Sequence, residues 1–189
     1  MIIYSCEFFG EALLMNIKTE NTVRIAMCTA LISVTAWITV PSPIPFTLQT
    51  FSVLLTCGLL GGKNASAAVL IYILLGALGL PVFSGFTGGI ASLGGATGGF
   101  IIGFLAMTLF VWLCERFISS TASLVFVMSI SLLICYSFGV IWYALIYSPN
   151  NSASIGAIVS STVLPFVIPD AIKLALAVAL TQRLKKHIK

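Results

Sequence analysis

Charge is what this sequence has least of. Only 7% of its 189 residues are Asp, Glu, Lys or Arg, whereas 59% are hydrophobic and the mean hydropathy is +1.14. A soluble domain covers its surface with about 25% charged residues. This chain cannot do so, and its solvent must be largely lipid. Histidine is nearly absent, the single one, His187, lying in a short basic tail at 185–189. That removes the side chain most general-base and zinc sites rely on. The five cysteines, Cys6, Cys28, Cys57, Cys114 and Cys135, are dispersed without close pairing. They read as small buried hydrophobes rather than disulfide partners or metal ligands. No glycine run carries a Walker lysine, so the chain has no nucleotide-binding loop. A net charge of +4 is too weak to signal nucleic acid. The expectation is a membrane protein that is not an enzyme and needs neither cofactor nor metal.

What is present is a series of apolar segments separated by strong breakers. They run over residues 23–40, 47–60, 65–80, 97–114, 124–146 and 155–184. Pro41, Pro43 and Pro45 forbid helix and force a stiff extended loop after the first. Gly61-Gly62-Lys63-Asn64 ends the second, Pro81 the third, and Ser148-Pro149-Asn150-Asn151 the fifth. Spans of roughly 20 residues each then fill 22–184. The reading is an all-α membrane domain of six transmembrane helices, preceded by an extension (1–21) whose first fourteen residues lie at the interface and followed by the tail at 185–189. The first residues lack the basic start of a signal peptide, and Glu7 and Glu11 oppose one.

The charges test this topology. Six crossings put both termini on one side, together with Lys18, Arg24, Lys63, Arg116, Arg183, Lys185, Lys186 and Lys189. The opposite loops, 41–46, 81–96 and 147–154, contain no Lys or Arg. By the positive-inside rule both termini face the cytoplasm.

One cation remains, and it lies within a span. Lys173 is ten residues before Arg183, about 15 Å along a helix and so near the bilayer centre. Asp170 precedes it by one turn on the same face. Each charge costs roughly 2.5–3.5 kcal/mol at that depth. Either the two satisfy each other and stitch the last helix into the bundle, or they line a polar cavity. Pro169 and Pro165 favour the cavity, because irregular backbone at depth is tolerated where it lines one. Gln49 and Phe46 at the start of the second helix, Trp142 and Tyr143 near the end of the fifth, and Gly85, Thr87 and Gly88 in a glycine-rich loop lie on the same outer side. Gly85–Gly89 reads as ligand contact and 95–103 as close helix packing. The inventory of one carboxylate, one ammonium, one amide and several rings suits ligand binding.

These residues resemble a known family. The runs Pro45-Phe-Thr-Leu-Gln-Thr50 and Gly76-Ala-Leu-Gly-Leu-Pro-Val-Phe-Ser-Gly85, the tract from Gly88-Gly89 to Thr97-Gly98-Gly99-Phe100, and Pro169-Asp-Ala-Ile-Lys173 are similar to BioY. BioY is the biotin-specific substrate-binding (S) component of the energy-coupling factor (ECF) transporters of prokaryotes. The resemblance covers about 22–184. It implies a six-helix S-component fold with a biotin pocket near the outer surface, capped by the loop after helix one and the loop between helices three and four. It also implies import powered by a separate transmembrane coupling protein and two ATPase subunits, the S component toppling in the cell membrane to carry its ligand inward. Ala26 and Ala30 match the small-residue motif that packs on the coupling protein. Asp170 would accept from the ureido N–H groups, and Lys173 would pair with the ureido oxygen or the carboxylate. Three positions depart from the pattern. Thr87 stands where relatives often place Arg or Asn, Ala96 replaces a usual proline, and Ile101 stands where some members carry an arginine. The carboxylate is thereby left to backbone N–H groups, Thr87 or water. An S component for another vitamin, an intramembrane enzyme and a structural membrane subunit are the competing readings.

Overall fold

The computed structural model describes residues 2–40, 46–147, 160 and 163–188. The chain is mostly helical. Helix α1 (Ile2–Trp37) runs unbroken into a two-residue strand, β1 (Thr39–Val40), which pairs antiparallel with β2 (Phe46–Thr47). Helix α2 (Gln49–Ala77) follows, then a 3₁₀ turn (Ser84–Phe86), the single-turn α3 (Ile90–Leu93), α4 (Gly98–Cys114), α5 (Thr121–Trp142) with a π-helical extension (Tyr143–Tyr147), and α6 (Leu164–Ile188).

The proline-rich loop at 41–45 lies outside the described residues; the chain on either side of it is extended and paired. Thr47, expected to open the second helix, is instead in β2, because Thr39 opposes it in the ribbon. The helix begins two residues later, at Gln49. That shift leaves the Thr47 carbonyl free of helical hydrogen bonding.

The second and third apolar segments form one continuous assignment, α2, broken only at Gly61, where φ is 77° and ψ 168°. A side chain is strained at such a φ, and a Cβ here would also strike the Glu115 carboxylate. The break is an elbow. Gln49 lies against Tyr72, although a straight helix would separate them by about 35 Å. The two halves of α2 therefore lie side by side. Thr29 of α1 donates to the Ala68 carbonyl, and Thr35 shares a 2.6 Å hydrogen bond with Ser52, so α1 packs on both halves. On its other sides α2 meets α4 and α6, and α4 in turn packs on α5.

The helix surfaces are apolar where a soluble protein's would be charged. Leu113, Phe126, Leu133 and Ile168 are exposed, while Ser52, Thr56, Thr108, Ser131, Asp170 and Lys173 are buried. Only a lipid solvent tolerates that distribution. Four helical stretches among the described residues are long and apolar enough to cross a bilayer: Gln49–Ala77, Gly98–Phe117, Thr121–Leu145 and Leu164–Lys186. The uncharged part of α1, residues 25–37, is shorter than such a span. For the last segment, expected over 155–184, the described helix starts at Leu164, and 155–159 and 161–162 lie outside the described residues.

The glycine-rich stretch behaves as two parts. Gly99 receives the Trp142 ring and Gly103 the backbone of Cys135, so small residues let α4 and α5 approach closely. Cys28, Cys57 and Cys135 are buried free thiols, as the composition suggested.

Candidate ligand-binding site

Pro169 sits inside α6, one residue before Asp170. A proline there removes a helical hydrogen bond, at the level where α6 faces the ends of α2 and α5. Asp170 and Lys173 project into that space and are 3% and 5% exposed. Lys173 Nζ donates to Asp170 Oδ1 at 2.7 Å, forming a buried ion pair. The same ammonium donates to the Thr47 carbonyl at 2.7 Å and lies 3.8 Å from the centre of the Phe46 ring. Here the ribbon matters: only because Thr47 is in a strand is its carbonyl available to the lysine. Phe46 in turn stacks on Phe166, with ring centres 5.7 Å apart.

The second carboxylate oxygen, Asp170 Oδ2, accepts a 2.7 Å hydrogen bond from the Tyr136 hydroxyl of α5. The carboxylate is thus held from two elements and still has lone pairs to offer. Tyr136 was not marked by the sequence. A tyrosine in the middle of an apolar helix reads as packing, and nothing local says that its hydroxyl meets an acid 34 residues away.

A cavity open to the surface joins these groups. Its polar floor is Asp170, Lys173, Tyr136 and Gln49, and its walls include Phe46, Phe100, Phe104 and Leu132. Ser84 and Thr97, both half-buried, also line it. Gln49 is 3% exposed beside Tyr72, yet neither its Nε2 nor the Tyr72 hydroxyl makes a hydrogen bond of good geometry among the described residues. An unmatched buried donor costs about 1–3 kcal/mol. Such a cost is expected where a guest completes the bond, and apolar walls with a few convergent polar groups are the usual make-up of a ligand pocket.

Of the residues the sequence singled out, Asp170, Lys173, Gln49 and Phe46 come together here. Gly85, Thr87, Gly88, Trp142 and Tyr143 are not among the residues that line the cavity. Trp142 packs on Gly99 and donates to the Gly95 carbonyl at 3.1 Å, fastening α5 to the start of α4. Tyr143 opens the π-helical turn. Gly88 is pressed against the Leu80 carbonyl, leaving no room for a side chain. Thr87 donates to Ser84 O, and Gly85 has open space around it. Their loop is near the site all the same: Ser84 lines the cavity, and Phe86, at φ 59°, stacks on Trp37 with ring centres 4.9 Å apart. Ile101 and Thr97 face the cavity from α4.

Comparison with known proteins identifies the family. The BioY family model matches residues 11–189. This chain belongs to the BioY family. It is 40% identical over 169 residues to the probable biotin transporter BioY of Pyrococcus horikoshii, covering 89% of this chain and 98% of that protein. It is 39% identical over 169 residues to the biotin transporter BioY of Thermotoga maritima, covering 88% and 96%. Its structure is similar to the crystal structure of the S-component for biotin from an ECF-type ABC transporter, with a TM-score of 0.81 and 26% identity over 90% of this chain and 93% of that one. The S component of another bacterial ECF transporter has the same fold, with a TM-score of 0.65 at 16% identity. For a BioY-family chain, the ion pair on α6 is therefore met in the setting of an S-component fold.

Proposed function

We propose that this chain captures biotin and serves its uptake as the substrate-specific S component of an ECF transporter in a prokaryotic cell membrane. The observation that carries the reading is the cavity in which Asp170, Lys173, Tyr136 and an unpartnered Gln49 amide converge beneath aromatic walls. Biotin brings what that floor lacks. Its ureido N–H groups are donors for the remaining lone pairs of Asp170, its ureido carbonyl is an acceptor for Gln49 Nε2, and its ring and chain are apolar. Lys173 holds the Asp170 carboxylate in orientation through their 2.7 Å contact. The loop holding Gly85, Thr87 and Gly88, with Ser84 lining the cavity, closes over the ligand, and Trp142 and Tyr143 support the wall behind it.

The chain crosses the bilayer six times in this reading, α1 and the two halves of α2 supplying three crossings and α4, α5 and α6 the rest. The elbow at Gly61 and the placement of every loop cation on one side support it, with both termini cytoplasmic. The membrane domain is 22–184, with 1–21 an extension and 185–189 a basic tail. Partners supply the energy: a transmembrane coupling protein and two ATPase subunits, the chain itself catalysing no reaction. An apolar groove between α1 and the second half of α2 supports the docking of the coupling protein there. Ala26, Ala30 and Ala67 line it, and Ala26 and Ala30 are exposed. Small residues let a partner helix approach closely.

Isothermal titration of the purified chain with biotin, in detergent and without ATP, tests the function. Tight binding of biotin is the expected result. Binding of another vitamin in its place would move the chain to a different S-component specificity.

A further inference from the structure

Lys173 donates to Asp170 Oδ1 at 2.7 Å and to Thr47 O at 2.7 Å, and its ammonium lies 3.8 Å from the centre of the Phe46 ring. Asp170 balances the charge at contact distance. The pair is electrically neutral and its cation is fully engaged.

No other cation can reach the cavity. Between Arg24 and Arg183 the sequence contains only Lys63, Arg116 and Lys173 as basic residues, a statement that includes the segments at 41–45 and 148–159. Lys63 follows the Gly61 elbow, which lies against Glu115, the neighbour of Arg116. That elbow is about 18 Å along a helix from Gln49. Arg24 and Arg183 stand at comparable distances from the cavity ends of their helices, and His187 is in the C-terminal tail. An anionic group entering the site finds no unmatched positive charge. Burying it unpaired costs far more than leaving it in water. The rim of the cavity, which opens to the surface, is where such a group stays solvated.

We infer that this site reads the ureido head of its ligand and leaves the tail carboxylate hydrated at the rim, so that carboxylate-blocked biotin derivatives, the primary amide first among them, are also ligands. The inference rests on the cavity being the biotin site. It assigns a ligand class set by the neutral tail region, and it makes the acid function of biotin dispensable for binding.

The test is isothermal titration of the full-length chain in detergent with biotin and, in parallel, with biotin primary amide. The amide is expected to bind with a Kd within about tenfold of that of biotin, a difference of about 1.4 kcal/mol or less. A larger loss for the amide, with biotin still tight, would overturn the inference and leave the biotin reading standing. Absence of binding by both ligands would overturn the two together.

Discussion

The sharpest test of the site separates the ion pair's structural role from its role toward a guest. Lys173→Met removes the ammonium and leaves the Asp170 carboxylate, 3% exposed, with Tyr136 as its remaining side-chain partner. Breaking a buried pair from one side costs about 3–5 kcal/mol. That is a large fraction of the stability of a domain this size, and the thermal midpoint in detergent should fall clearly. Adding Asp170→Asn removes the stranded charge. Replacing both members of a buried pair by neutral groups of similar volume is often close to neutral, so the double variant should recover most of the lost stability. Biotin binding should not recover, because the ionised acceptor for the ureido N–H groups is gone. The assay is a pair of measurements on parent, single and double variants: thermal unfolding in detergent and titration with biotin. A double variant that is stable and binds biotin within about tenfold of the parent, roughly 1.4 kcal/mol, would refute the reasoning and make the pair a structural stitch.

The remaining predictions use the same two assays. Gln49→Leu removes a buried donor without a partner, so stability should hold or rise while biotin affinity falls about tenfold or more, the loss of a hydrogen bond made only to the guest; unchanged affinity would take Gln49 out of the site. Gly61→Ala places a side chain at φ 77° against the Glu115 carboxylate. A side chain in this positive-φ, extended-ψ conformation costs about 1–3 kcal/mol, and lower thermal stability with little change in biotin stoichiometry is expected of the folded fraction. Ala30→Trp fills the exposed groove between α1 and α2, so it should leave biotin titration unchanged while cells supplying the coupling protein and ATPases lose biotin uptake. Normal uptake would remove that groove from the partner interface.

Composition and charge placement determined the most about this protein. A chain with so few charges has to live in lipid, which follows from solvation and depends on how much of each residue type is present. The residues of the ion pair were legible for the same reason, since an acid and an amine three residues apart in an apolar run are expensive anywhere except beside a partner. What lay beyond the sequence was how distant elements meet. Thr47 reads as the first residue of an apolar helix, yet it pairs in a strand and turns its carbonyl to Lys173, because the ribbon needs a partner strand that only the returning chain provides. Tyr136 reads as one more aromatic in a span until α5 and α6 are packed and its hydroxyl meets Asp170. Trp142 reads as a ligand contact or as an aromatic of the membrane-interface belt, and only the packed bundle brings its ring onto Gly99 of the neighbouring helix. Local cost can be read one residue at a time, but the group that offsets it comes from wherever the bundle brings another helix, and that is decided by packing across the whole fold.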